Sequence, residues 1–361
     1  MTTIKDIALA AGVSSATVSR VLNADTSLSI SETKRVRIHQ IASDMDYSTP
    51  RQRRAGQHPA ADLPFISPPK NESNKKGYKL AVMHFLSSSD ELQDPYYISI
   101  RMGLEQRCES EKIALERINK SQLSEYKDFI SSVDGVVAIG RFEKHEIEFV
   151  CEHAKYVVFV DACPDIDGVD SVVFDIERAM NRIMDEVFKR SFEVVAFVGG
   201  HENFSEFNTP LGEIRRKVFV ERMREQGLFQ SDYCLVEDFS VESGYRQAQQ
   251  LLKLNPLPEV IIAASDSMAV GVLRALHEQS ISIPEQISVI GLNDIPNAEH
   301  LVPSLTSMKV FTKEMGSAAI DLFFQYQAGR RVAANISLAT SLSWRQSFPK
   351  NLDFVDPKQL C

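Results

Sequence analysis

The chain has 361 residues, enough for two or three domains, and its 43% hydrophobic and 25% charged content is that of a globular protein rather than a disordered or fibrous one. A net charge of −9 spread evenly would argue against contact with a polyanion, but residues 1–60 hold eight Lys and Arg against five Asp and Glu, a net +3 that leaves −12 for the remainder. A modestly basic head on an acidic body suits polyanion contact at one end only.

The first predicted element carries Ile4, Ile7, Ala8 and Ala11 at helical spacing, and Gly12 then permits a turn. Ser14 is a good N-cap for a second helix that buries Val18, Val21 and Leu22. After a break over 23–29, Ser31 caps a third helix with Glu32 in its first turn, and Ile38, Ile41, Ala42 and Met45 form its buried stripe. Three short helices, the first two joined by a tight turn, describe a helix-turn-helix domain. The outer face of the second helix holds Ser15, Ala16, Ser19 and Arg20, all small or polar apart from one long cation. A helix entering the major groove needs a slim leading turn to approach base edges. It also needs hydroxyls and amides for phosphates, which Thr3, Ser14, Thr17, Ser19 and Asn23 offer. Arg20 suits either a bidentate contact to guanine or a phosphate. The competing reading is a small helical bundle with a solvated polar face.

The stretch IKDIALAAGVSSATVSRVLN resembles the opening signature of the LacI/GalR family of bacterial transcription regulators, and the likeness runs ungapped to Tyr47. The resemblance implies that Ser15 and Ala16 help choose the operator sequence, with Arg20 also at the bases. It further implies a homodimer on a near-palindromic duplex, one headpiece per half-site. The expected fold class is therefore α/β, an all-α N-terminal helix-turn-helix headpiece plus a two-lobed periplasmic-binding-protein-like α/β effector domain. The expected divisions are 1–47 for DNA binding, 48–76 for a hinge or linker, 77–347 for the effector and dimerisation domain, and 348–361 for a tail.

The linker holds Pro50, Pro59, Pro64, Pro68 and Pro69, which disfavour a compact core there. In the family a short hinge helix follows the tyrosine matched by Tyr47 and wedges a leucine into the minor groove. This sequence departs from that pattern, with Arg53 and Gly56 at the alanine and leucine positions and no leucine before Leu63. Arg51, Arg53 and Arg54 either hold phosphates or decorate a solvated tether.

From Tyr78 onward, apolar strands near 79–85, 114, 133–139 and 156–160 alternate with helices near 96–110 and 143–153. The alternation repeats with helices 176–189, 212–226, 243–252 and 267–279 between strands 194–198, near 234, 260–263 and 287–292. Such alternation indicates parallel sheets covered on both faces, and two runs in series suggest a clamshell that closes on a ligand.

Ligands of open α/β sheets sit beyond the carboxyl ends of the strands, which singles out the Asp94-Pro95-Tyr96-Tyr97-Ile98 stretch and several residues after it. The resemblance places Ile98, Arg215 rather than Arg216, Phe239, Ser265, Asn293 and Val310 at effector-contacting positions, and Asp266 is a further candidate because it follows Ser265 where a strand ends and a helix starts. A guanidinium fork suits vicinal hydroxyls or a carboxylate, and an aromatic face suits the C–H face of a sugar. Asp266 either accepts from a ligand hydroxyl or caps its helix. Each of these also has an ordinary reading as a helix terminus or a core residue. Where the family usually has aspartate, Asn293 supplies a neutral amide. The DPYYISIRMGLE and SDSMAVGVLRALHE stretches are similar to a branch of the family that controls β-galactosidase operons, so a galactoside is the first expectation for the effector.

No nucleophile elbow, phosphate-cradling glycine loop or HExxH pair occurs, and no catalytic acid/base pair was identified, so a binding protein rather than an enzyme is expected. His145, Cys151 and His153 read as surface and core rather than a zinc site, and Asp161, Asp165, Asp167 and Asp170 as a solvated acidic loop rather than a calcium site. No metal and no cofactor are expected. The five cysteines (Cys108, Cys151, Cys163, Cys234 and Cys361) form no CxxC pair, which suggests free thiols in a reducing cytoplasm. No apolar run is long enough to span a membrane and no signal peptide precedes Thr3. The tail lacks a leucine heptad, leaving a dimer as the default assembly. The expected function is a sequence-specific repressor of a carbohydrate operon, released by a small sugar. The alternatives are a corepressor-dependent regulator answering a non-sugar metabolite and, further off, a sugar-processing enzyme.

Overall fold

In residues 4–22 the apolar periodicity becomes two helices, α1 (Ile4–Ala11) and α2 (Ser15–Leu22). Gly12, at φ 65°, makes the turn between them, and the Ser14 hydroxyl accepts the Thr17 amide at 3.1 Å to cap α2. Ala8, Val18, Val21 and Ile38 form the buried centre, with Ile4, Ala11, Val13 and Ile41 packed around it. Lys34, Ile38 and Ile41 are helical, as a third helix requires. The structure is a computed structural model that describes residues 4–22, 34, 38, 41, 77–86, 94–201, 214–348 and 350. Thr3, Asn23, Ser31, Glu32, Ala42, Met45, the linker 48–76, Cys361 and the tail past residue 350 lie outside the described residues. The chain divides into two compact units, Met1–Lys70 and Asn71–Cys361.

The second unit is built on two sheets whose strand orders repeat. The first contains β1 (Lys79–His84), β2 (Ala114–Asn119), β3 (Gly135–Ile139), β4 (Val157–Val160) and β5 (Asp170–Phe174) in the order β2-β1-β3-β4-β5. The second contains β6 (Val195–Gly200), β7 (Cys234–Glu237), β8 (Val260–Ala263), β9 (Ser288–Asn293) and β10 (Thr306–Lys309) in the order β7-β6-β8-β9-β10. Each sheet gains one late strand at its edge: β11 (Asn335–Leu338) runs parallel to β5, and β12 (Ser341–Ser343) antiparallel to β10. This is the doubly wound arrangement twice over, and it reverses direction between β1 and β3 and again between β6 and β8. The central strands are Val- and Ile-rich and buried along their length because helices cover both faces.

The helices are α3 (Pro95–Glu111), α4 (Lys127–Ser132) and α5 (Lys144–His153), then α6 (Ile176–Phe188), α7 (Ile214–Glu225), α8 (Val241–Leu251), α9 (Asp266–Glu278) and α10 (Thr312–Gln327). Although α10 follows the second sheet in sequence, it packs on α3 and on the first sheet. Its contact with α3 is close enough that a Cβ on Gly103 would lie 2.1 Å from the Lys313 carbonyl oxygen. In the other lobe α8 and α9 meet through Gly244 and Gly271 in the same way. Among the described residues the chain therefore passes between lobes three times, at residues 174–176, 309–312 and 338–341.

Two aspartates depart from the solvated loop expected of them. Asp170 opens β5 and is buried, where its carboxylate accepts from the Tyr156 hydroxyl at 2.7 Å and the Ala334 amide at 2.8 Å and pairs with Arg330. It thereby holds the chain that leads into β11. Asp161, directly after β4, belongs to the cleft described below. Val310 is buried in the core rather than facing a ligand. The described cysteines, Cys108, Cys151, Cys163 and Cys234, are free thiols. No helix among the described residues is long and apolar enough to cross a membrane.

Candidate functional site

Both reversals of strand order open toward one cleft. In the first lobe β1 ends at His84, whose Nδ1 accepts the Leu86 amide at 3.1 Å, which puts the ring proton of the neutral form on Nε2. Phe85 follows and lies over Gly140, where a Cβ would come within 2.0 Å of its ring. Its edge meets Tyr97 with centroids 4.8 Å apart. Asp94 caps α3 by accepting the Tyr96 amide at 3.0 Å, with Pro95 in the first helical position where no N–H is required. That cap fixes the first turn, so Tyr96 and Tyr97 both reach Asp161. The Tyr96 hydroxyl donates to Oδ1 at 2.8 Å and the Tyr97 hydroxyl to Oδ2 at 2.7 Å. Asp161 sits at φ 64°, a left-handed conformation that a short acidic side chain tolerates.

Burial pushes the Asp161 carboxyl up, and the two tyrosine hydroxyls, Arg141 and Arg215 pull it back toward the charged form. Burial, chiefly, and then the Asp161 charge raise both phenols well above their ordinary range, so they stay protonated donors. The Arg215 charge, supplied by the second lobe, acts on both Tyr96 and Asp161, which sets the two halves facing each other.

In the second lobe Arg215, in the first turn of α7, donates from Nη1 to the Ala264 carbonyl at 2.7 Å, just beyond β8. Its guanidinium carbon stands 4.8 Å from the Phe239 ring centroid. Phe239 lies on Gly200, where a Cβ would come within 2.4 Å of the ring, and is 38% exposed. Arg216, the neighbour of Arg215, turns instead toward Cys234. Ser265 caps α9 by accepting the Met268 amide at 3.3 Å. Asn293 closes β9 at φ 117° and is half-buried.

The structure thus brings together Arg215, Phe239 and the chain at Ser265, with Asn293 at the end of the next strand. Ile98 lies half-buried in the first turn of α3, one residue beyond the tyrosine pair. Asp266 is different. It has no exposed surface, its Oδ1 accepts from the Ser307 hydroxyl at 2.6 Å, and its Oδ2 accepts the Ile295 amide at 2.8 Å. Both carboxylate oxygens are engaged inside the lobe, and Ser265 rather than Asp266 caps the helix. Tyr96 and Tyr97 fall in the stretch the sequence singles out, without the role of their hydroxyls, whereas Asp161 belongs to the cleft and not to the solvated acidic loop expected for it. Its signal was available, since Asp161 is the first residue past the carboxyl end of β4.

In the other unit, Ser15, Ala16 and Arg20 are exposed on α2, while Thr17 and Ser19 are half-buried. Ser14 and Thr17 share a hydroxyl–hydroxyl contact of 2.8 Å. Residues His145, Cys151 and His153 form no metal cluster, and none of three or more ligating side chains exists among the described residues. The His153 Nδ1 contacts the Phe149 carbonyl at 2.7 Å instead.

Fold and cleft together define a two-lobed α/β receptor joined in one chain to a helix-turn-helix. Comparison with known proteins agrees. The model of bacterial regulatory proteins of the lacI family matches residues 3–50, and that of the periplasmic binding protein-like domain matches residues 184–348. The chain is 33% identical to the HTH-type transcriptional repressor MelR of Bacillus subtilis (strain 168), covering 96% of this chain and 97% of MelR. It is 32% identical to the HTH-type transcriptional regulator GalR of Streptococcus thermophilus, covering 96% and 99%. A solved transcriptional regulator CelR–cellobiose complex has the same fold, with a TM-score of 0.65 at 20% identity over 96% of this chain and 100% of that one. The chain belongs to the lacI family of bacterial regulatory proteins. It is a transcriptional regulator and not an enzyme.

Proposed function

We propose that the protein is an operator-binding repressor released by a small neutral saccharide, with a galactoside as the first candidate. One observation carries this reading: Asp161, fed by two tyrosine hydroxyls, faces an arginine laid on an exposed phenylalanine. A carboxylate and a guanidinium on opposite walls serve hydroxyls as acceptor and donor, and an aromatic face takes a sugar's C–H surface. Arg141 and Arg215 both pull Asp161 toward its charged form, so its negative charge is met by positive charge at the site, which favours a ligand without net charge. Effector contacts are assigned to Ile98, Arg215, Phe239, Ser265 and Asn293, with Asp161, Tyr96 and Tyr97 added and Asp266 left as the buried support of the second lobe. The cellobiose in the CelR complex lends support by analogy of fold alone. The sequence likeness to regulators of β-galactosidase operons is what narrows the sugar.

On the DNA side, Ser15, Ala16 and Arg20 read base edges, while Thr3, Ser14, Thr17, Ser19 and Asn23 hold phosphates. The working parts are residues 1–47 as headpiece, 48–76 as linker, 77–347 as effector and dimerisation domain, and 348–361 as tail. A homodimer places two headpieces on a near-palindromic duplex in the cytoplasm, where the chromosome is. Ligand that favours one lobe arrangement weakens DNA binding by linkage. The test is a thermal-shift screen against galactose, melibiose, lactose, cellobiose and ribose. A true effector at a hundredfold excess over its Kd stabilises the fold by about 2.7 kcal/mol. A screen in which no sugar raises the Tm, while a charged metabolite does, refutes the saccharide assignment.

A further inference from the structure

Asn293 and Asp294 both carry positive φ, 117° and 57°, immediately beyond β9. Backbone of this kind is costly for residues with a Cβ and persists only where its surroundings over-determine it. Those surroundings are explicit. The Asp294 amide donates to the Ser307 hydroxyl at 3.0 Å, and its Oδ2 accepts from the Ser343 hydroxyl at 2.8 Å. Its Oδ1 lies 2.7 Å from Arg345 Nη1 as an ion pair whose two side chains are largely buried. Asn293 itself accepts the Val310 amide on its carbonyl at 3.2 Å.

These partners are not scattered. Val310 lies in the second passage between lobes, at residues 309–312, and Ser343 ends β12, the strand that receives the third passage. We infer that Asp294 is a positioning residue that ties the cleft amide of Asn293 to two of the three interlobe passages. The inference rests on the proposed reading of Asn293 as an effector contact. A hydroxyl that engages the Asn293 side chain acts on a peptide whose carbonyl holds Val310. Its neighbour's carboxylate holds Ser343. Rotation of that one peptide displaces both passages together. The buried pairing with Arg345 makes the tie stiff, because removing one partner leaves a buried charge uncompensated.

The test is hydrogen–deuterium exchange on the full-length wild type, Asp294→Asn and Ser343→Ala, first without sugar. Asp294→Asn should accelerate exchange about tenfold in peptides covering both 309–312 and 341–345, with β1 and β3 unaffected. Ser343→Ala should accelerate the second of these regions alone. Acceleration in Asp294→Asn confined to 341–345, or none at either passage, overturns the assignment. Uniform acceleration across both lobes also overturns it, since the pair would then only hold the fold. A second arm adds saturating melibiose, which should slow exchange at both passages in the wild type and at neither in Asp294→Asn. If melibiose protects nothing in the wild type while the sugar-free pattern holds, melibiose fails as the effector and the assignment of Asp294 stands.

Discussion

Replacing Asp266 by asparagine should remove much of the pH dependence of this protein's stability. Burial raises the Asp266 carboxyl from 3.8 to about 7, against the pull of the Ser307 hydroxyl and the Ile295 amide; the nearby Asp294 charge adds to the rise and Arg345 opposes it. The native state thus holds a proton that the unfolded chain releases near pH 4. Its stabilising contribution is complete below that point, falls as pH rises toward about 7, and is flat beyond. A rise of roughly three pKa units corresponds to about 4 kcal/mol at most across that window. Asparagine keeps an acceptor for the Ile295 amide, and the Ser307 hydroxyl can turn to accept from the new NH2 group, so the geometry survives without a charge to bury. The assay is urea unfolding at a series of pH values, followed by the fluorescence of Trp344, the single tryptophan. The wild type minus Asp266→Asn difference should decline between pH 4 and 7 and level off above. A difference that stays constant with pH would show that Asp266 does not titrate in this window, and the buried-acid argument would be wrong.

Arg215→Ala should weaken binding of the effector found in the screen by roughly 10- to 100-fold, the loss of charge-assisted hydrogen bonds worth about 1.5–3 kcal/mol, with operator affinity retained. Calorimetry and fluorescence anisotropy check the two halves of that statement, and an unchanged effector affinity removes Arg215 from the site. Gly103→Ala forces a Cβ against the Lys313 carbonyl and should cost about 1–3 kcal/mol in urea unfolding, because neither backbone can yield without separating α3 from α10. Operator affinity should fall linearly in log–log with added salt as counterions are released; a flat response would remove the phosphate contacts of the headpiece. Exchanging Ser15 and Ala16 for other small residues should alter which duplex is preferred, read by competition between operator variants, and an unaltered preference would exclude them as readers.

The parts of this fold legible in the sequence were those whose pattern is local. The Val- and Ile-rich runs of β3, β4 and β8, the helix α3 and the amphipathic helices α6 and α9 came within a few residues of their observed bounds. The elements α4, β5, β10, α10, β11 and β12 did not. α10 is a plain helix whose partner, α3, lies two hundred residues earlier, and no period in the sequence announces that passage. β11 and β12 have four and three residues, too short to show alternation. β5 was hidden because Asp170 is charged yet buried, its cost met by Arg330 and Tyr156. At the cleft, Arg215 and Phe239 were named and do meet across one another. Asp161 was lost among Asp165 and Asp167, since composition does not distinguish a carboxylate fed by two phenols from one bathed in water. Asp266 erred the other way: a strand-end acid beside a cleft, yet turned inward to a serine that only tertiary folding brings near.

The placement of α10 and β11 bears on how the molecule is made. The first lobe begins at β1 yet lacks a covering helix and an edge strand until residues 312–338 have been synthesised. On a ribosome adding roughly 5–20 residues each second, five strands of that lobe emerge and wait while the whole second lobe is translated. A chain terminated anywhere before residue 338 leaves the earlier lobe unfinished as well as the later one. Premature stops near the end of the gene should therefore act as complete losses, giving aggregation-prone chains rather than a smaller working receptor.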